Sequence, residues 1–131
     1  MLFRSSCPSP LYVELNPQRA IEAFTYLLQC FLNYCLPASA VSVLGLRSRD
    51  HAVILLAADR GEIPARDLPR LFDTLGPAIA GVEDSGPRLA LARRIIEAFG
   101  GEISAENISG GGFRFQVRLP MAAEVSRTTA A

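Results

Sequence analysis

Ser85-Gly-Pro-Arg-Leu-Ala-Leu-Ala-Arg-Arg-Ile-Ile-Glu-Ala-Phe-Gly-Gly-Glu-Ile-Ser104 decides the fold. A glycine-bearing loop runs into a helix, and the helix stops at paired glycines just ahead of a strand. Leu89, Ala92, Ile95, Ile96 and Phe99 recur at helical spacing and form the core-facing stripe. The helix is expected from about Arg88 to Phe99. The stretch before it, Gly76 to Pro87, carries three glycines and two prolines and reads as a mobile lid.

Working outward, alternation over Leu11-Tyr-Val-Glu-Leu15 predicts a first strand, and Asn16-Pro17 supplies a helix cap with proline at the first helical position. Ala20, Ile21, Phe24, Leu27, Leu28, Phe31 and Leu32 then mark one helical face through about Tyr34. Ala40 to Arg47 and Ala52 to Asp59 predict a hairpin around Ser48-Arg-Asp-His51. Arg60 to Asp67 is expected as loop and Leu68 to Leu75 as a short helix. Strands are expected over Glu102 to Asn107 and Phe113 to Leu119, joined through Ser109-Gly-Gly-Gly112. The expected organisation is an N-terminal arm over 1–10, one domain over 11–120 and a flexible tail over 121–131. The fold class is α+β: a two-layer sandwich of a mixed, mostly antiparallel five-stranded sheet covered by about three helices. Its core is expected to include Phe24, Leu28, Leu55, Ile96 and Phe115.

Composition fits one domain. The chain has 131 residues, half of them apolar, enough for a real core. Thirteen basic residues balance thirteen acidic ones without a long run of either sign, which argues against nucleic acid as a partner. The first ten residues lack a signal-peptide core, and the longest apolar run, Ala52 to Ala58, is too short to span a bilayer, so a cytoplasmic location is expected. Cys7, Cys30 and Cys35 form no CxxC pair and read as reduced thiols, with neither a disulfide framework nor a metal site.

The element order and four short motifs resemble the Bergerat ATP-binding fold shared by histidine kinases, gyrase-type ATPases and Hsp90, over Leu11 to Pro120. In that family the first long helix presents an asparagine that holds magnesium against the triphosphate. The matching run here is Tyr26-Leu-Leu-Gln-Cys-Phe-Leu-Asn-Tyr34, with Cys30 at that position and Asn33 where a lysine often stands near the phosphates. A thiol replaces a hard oxygen donor poorly, so no metal site is expected. The family's Asp-x-Gly-x-Gly-Ile-Pro, whose carboxylate binds the adenine amino group, is matched by Asp59-Arg-Gly-Glu-Ile-Pro64, one residue shorter. Asp59 and Gly61 are therefore candidate base contacts, and a turn cap is the alternative for Asp59.

The family lid Gly-x-Gly-Leu-Gly-Leu-Ala cradles phosphates with backbone amides. The run here, Gly86-Pro-Arg-Leu-Ala-Leu-Ala92, keeps one of its glycines. Pro87 has no amide hydrogen, and Ala90 adds a Cβ. Gly86 and Arg88 remain candidate phosphate contacts, Arg88 being otherwise a solvated cation of the first helical turn. Gly110-Gly-Gly-Phe-Arg-Phe115 resembles the family's closing Gly-x-Gly-Thr-x-Phe, making Gly112 the last candidate cofactor contact. Tyr26, Phe31, Ile79 and Val82 are expected to close over part of the cleft.

The resemblance implies a stand-alone, degenerate histidine-kinase-like domain that regulates two-component signalling by contact. A helical hairpin with a phosphoacceptor histidine is not expected ahead of it, and His51 is placed in the predicted strand hairpin. No catalytic residue and no bound cofactor are expected. The alternatives are an ATP- or ADP-binding protein of weak affinity with residual kinase or ATPase activity on a separate chain, and a homodimeric structural module. Expected partners are a sensor kinase helical hairpin, a phosphotransferase or a response regulator, with no nucleic acid and no membrane. The docking surface is placed at Leu71, Phe72, Leu75, Ile79 and Val82, with burial of Phe72 and Leu75 as the alternative.

Overall fold

The computed structural model describes residues 2–8, 10–73 and 85–122. Its elements are β1 (Leu2–Ser6), α1 (Pro17–Tyr34), β2 (Ala40–Ser48), β3 (His51–Ala58), a 3-10 turn (Leu68–Arg70), α2 (Ser85–Ala98), β4 (Glu102–Asn107) and β5 (Phe113–Pro120). The five strands form one sheet in the order β1-β2-β3-β5-β4, parallel between β1 and β2 and antiparallel elsewhere. This is the predicted α+β architecture; the described residues form two α-helices and the 3-10 turn, against about three helices expected.

Local chemistry explains the element ends. Asn16 caps α1 by accepting the Arg19 amide on its side-chain oxygen at 3.1 Å, and Pro17 follows where a missing N–H costs nothing. At the far end of α2, Gly100 takes φ +83°, its amide donates to the Glu97 carbonyl and the Gly101 amide to that of Ile96. That is the Schellman closure the paired glycines predict.

Register assigns the two faces of the sheet. Val41, Leu56, Ala58, Phe113, Phe115, Val117 and Leu119 lie on the face covered by both helices, where they join Ala23, Leu27, Phe31, Leu89, Ala92 and Ile96 in one core. Leu44, Leu55, Ala57 and Arg114 fall on the opposite face by alternation. Leu55 is accordingly half-buried rather than part of that core.

Several expectations are corrected. The first strand is Leu2–Ser6, inside the expected arm, and Leu11 to Leu15 joins no ladder. The alternation there is real, because Leu11, Val13 and Leu15 are half-buried between exposed Tyr12 and Glu14, and Val13 and Leu15 pack on the core. A period of two marks extended chain with one side buried, which needs no paired neighbour.

The buried face of α1 is Ala23, Leu27, Cys30 and Phe31, rotated by roughly a quarter turn from the predicted stripe on a 3.6-residue helix. Ile21, Leu28 and Leu32 are instead 67, 37 and 46% exposed. Leu68 begins a 3-10 turn, Leu68–Arg70, rather than an α-helix. α2 begins at Ser85, so Gly86 and Pro87 belong to its first turn, where a proline is tolerated. Met121 and Ala122 are held, not part of a free tail: their amides donate to the carbonyls of Asp50 at 2.8 Å and Tyr12 at 2.6 Å.

Candidate functional site

Two arrangements meet where the helices overlie the ends of β3 and β5. The first is an aromatic floor. Phe31 of α1 lies 4.9 Å from Phe113 and 5.5 Å from Phe115, ring centre to ring centre, and Phe72 closes on Phe115 at 6.0 Å edge to face. Such tilted and edge-on pairs satisfy the ring quadrupoles while filling the space between helix and sheet. Above it, the Arg88 guanidinium of α2 stands 5.7 Å from the Tyr26 ring centre of α1. Phe31, expected to close over part of the cleft, is buried in the core between α1 and the sheet. Ile79 and Val82, named with it, lie outside the described residues.

Cys30 sits within this floor, 1% exposed. Burial pushes its thiol up to about 12, so it is a neutral S–H at neutral pH. Tyr34 is pushed up to about 12 as well, first by burial and then by Cys30 and Asp67. A protonated thiol among phenyl rings does not fit magnesium, which demands oxygen donors in octahedral array. Among the described residues no three His, Cys, Asp or Glu side chains gather to hold a metal.

The second arrangement is a recess of about 500 Å³ at the end of β3, lined by Tyr34, Asp59, Gly61, Glu62, Gly111 and Gly112. It brings together three of the predicted contacts: Asp59, Gly61 and Gly112. Both glycines are demanded by the backbone. Gly61 has φ +114°, and a Cβ there would strike the Tyr34 carbonyl; Gly112 has φ +87°, and a Cβ would strike that of Ala58.

Asp59 is committed to the sheet. Its amide donates to the Ala40 carbonyl at 3.2 Å, and its Oδ1 accepts the Ala40 amide at 2.7 Å, so the carboxylate extends the β2–β3 ladder by one pair. This is the capping alternative. Counted back from Ile63-Pro64, the position that the motif gives to a carboxylate is Ala58, 2% exposed on the helix-covered face.

The remaining candidates lie apart. Asn33 is exposed and donates from Nδ2 to the Gln29 carbonyl at 2.8 Å, a back-bond along its own helix. Gly86 is in the first turn of α2. Of Leu71 and Phe72, expected on a docking surface, Leu71 is fully buried in the core and Phe72 is half-buried, packed on Phe115. Leu75, with Ile79 and Val82, lies outside the described residues.

Sequence reasoning missed Asn107. Its Oδ1 accepts the Ile63 amide and its Nδ2 donates to the Ile63 carbonyl, each at 2.8 Å, fixing the Gly61-bearing loop to β4. The available signal was position: after Ile103 and Ala105, Asn107 is the next inward residue of β4, and a polar group there needs a buried partner.

The family model for the histidine kinase-, DNA gyrase B- and HSP90-like ATPases matches residues 16–123. The signal transduction histidine-protein kinase AfsQ2 of Streptomyces coelicolor is 40% identical over 114 residues, covering 84% of this chain and 21% of that protein. The sensor histidine kinase RcsC of Escherichia coli is 27% identical over 117 residues, 86% of this chain and 12% of that one. This chain thus spans about a fifth or less of these relatives. Among solved structures, the catalytic domain of histidine kinase ThkA in a nucleotide-free form superposes with a TM-score of 0.79 at 20% identity, over 91% of this chain and 78% of that one. The mycobacterial sensor histidine kinase MprB gives 0.77 at 17% identity, over 92% and 83%.

Proposed function

Since this chain belongs to the histidine kinase-, DNA gyrase B- and HSP90-like ATPase family, we propose that it is a degenerate member, one that acts in two-component signalling by protein contact and transfers no phosphate. The observation that carries this reading is Cys30: a buried, protonated thiol stands at the helix position where the family pattern has its magnesium-holding asparagine. Loss of hard donors at that point removes the charge neutralisation that phosphoryl transfer depends on. Three features weaken nucleotide retention further. Ala58 takes the motif's carboxylate position, Pro87 offers no amide hydrogen, and Arg88 is stacked on Tyr26. We place the protein in the cytoplasm with its partners.

The contact surface under this reading is the outer face of α1. Ile21, Leu28 and Leu32, with Leu36 just beyond the helix, form an exposed apolar row, flanked by uncharged Thr25, Gln29 and Asn33. The partner is the helical hairpin of a sensor kinase, whose amphipathic helices offer a complementary apolar seam. The sensor kinases among the relatives support this choice of partner class. The test is capture from native extract with identification of the bound protein, using the wild type and a Leu28→Asp, Leu32→Asp variant. A sensor kinase captured by the wild type and lost with the variant supports the reading. Capture that survives the change, or an extract yielding no two-component protein, overturns it.

A further inference from the structure

On the face of the sheet away from α1 and α2, the ends of β1, β2 and β3 and the β4–β5 turn enclose a recess of about 560 Å³. That volume is within the ~300–1,000 Å³ of small-molecule sites. Register fixes its layout: Leu2 lies beside Ala40, Arg4 beside Ser42, and Ser42 opposite Ala57. Its apolar walls are Leu2, Ala57 and Ile108, and its polar groups are Arg4, Ser42 and Asp59.

Two opposite charges line it, both on exposed residues. Arg4 makes no ion pair or hydrogen bond among the described residues. Asp59 commits Oδ1 to the Ala40 amide, while its second oxygen has no donor among the described residues. The two residues stand two strands apart and two positions along, roughly 12 Å between Cα atoms from the ~4.8 Å strand spacing and ~3.3 Å rise. Both residues line the recess, and that span leaves room between their charged groups for an ammonium and a carboxylate carried on one carbon.

We propose that this recess binds a free amino acid with an apolar side chain. Its ammonium donates to Asp59, its carboxylate accepts a bidentate pair from Arg4, and its side chain packs against Leu2, Ala57 and Ile108. The charge pair selects a zwitterion: a purely anionic ligand meets Asp59, and a purely cationic one meets Arg4. The site lies apart from the helix-covered floor, shares Asp59 and Gly111 with the recess at the end of β3, and does not depend on the proposed signalling role.

The test is calorimetric titration of the full chain with L-phenylalanine and L-leucine, and with 3-phenylpropionate and phenethylamine, which lack the ammonium and the carboxylate respectively. Saturable binding of an amino acid is expected. Each single-charge analogue should bind at least about tenfold more weakly, since a hydrogen bond to a charged group is worth ~1.5–3 kcal/mol. Arg4→Ala should weaken amino-acid binding by about the same factor while leaving the thermal midpoint unchanged, and Ala57→Leu should abolish it by filling the floor. Absence of binding by both amino acids at millimolar concentration overturns the proposal. So does undiminished binding by Arg4→Ala, or equal binding of the single-charge analogues.

Discussion

The Arg88 guanidinium stands 5.7 Å from the centre of the Tyr26 ring, so the first turn of α2 is tied to the middle of α1 by a cation over an aromatic face. A contact of this kind contributes ~0.5–1 kcal/mol where solvent reaches it. Arg88→Ala should lower unfolding stability by about that amount in urea titration. In a double-mutant cycle with Tyr26→Leu, the loss should be shared rather than additive. Full additivity would show that the two residues act separately.

Positive φ and steric closure can be told apart at the β4–β5 turn. Gly110 and Gly112 have φ of +95° and +87°, yet a Cβ on Gly110 would meet nothing within 4 Å while one on Gly112 would strike the Ala58 carbonyl. Left-handed strain alone costs ~1 kcal/mol for an alanine. Gly110→Ala is expected to cost about that much, and Gly112→Ala clearly more, in chemical denaturation. Equal costs would mean that the backbone relaxes away from Ala58.

Asn107 holds Ile63 through two hydrogen bonds of 2.8 Å. Removing its amide leaves a backbone donor and an acceptor unmatched, at ~1–3 kcal/mol each where they are buried. Asn107→Ala should therefore destabilise the domain by about 2 kcal/mol or more, and should speed amide exchange at Ile63. Unchanged exchange there would show that the loop is held by other contacts.

The alkaline limb of stability follows from three raised groups, Cys30, Tyr34 and Cys35, the last lifted from 9.0 by burial and then by Asp59. Cys30 goes from 9.0 to about 12 and Tyr34 from 10.0 to about 12 on folding. Between those values the unfolded chain has lost protons that the folded one keeps, so stability falls as pH rises. The stabilising contribution is complete below about pH 9 and is lost as the pH climbs toward 12. Cys30→Ala should make that decline shallower, leaving Cys35 and Tyr34 to carry it. Thermal midpoints taken from pH 7 upward will show it, and an identical decline in the variant would contradict the burial of this thiol.

Legibility in the sequence followed the physics of each signal. Asn16-Pro17 and Gly100-Gly101 are local devices whose geometry is set by the residues themselves, so both ends were readable. The rotation of α1 was not. Ile21, Leu28 and Leu32 are as apolar as the residues that are buried, and only the approach of α2 and the sheet chooses Ala23 and Cys30 instead. β1 escaped for a related reason, because its five residues are all exposed and carry no alternation. At the site, Gly61 and Gly112 were found through the family pattern, but their necessity lies in approaching carbonyls that are distant in the chain. Asp59 was found while its partner was not: the amide of Ala40 is invisible until β2 and β3 are in register.

The central claim is that the chemistry of magnesium-ATP is absent, and isothermal titration of the full chain with ATP and ADP, each with and without magnesium, tests it most directly. A buried neutral thiol at Cys30 and an alanine, Ala58, at the motif's carboxylate position predict binding weaker than ~1 mM, about 4 kcal/mol, with no gain on adding magnesium. Micromolar ATP affinity that depends on magnesium would contradict the account.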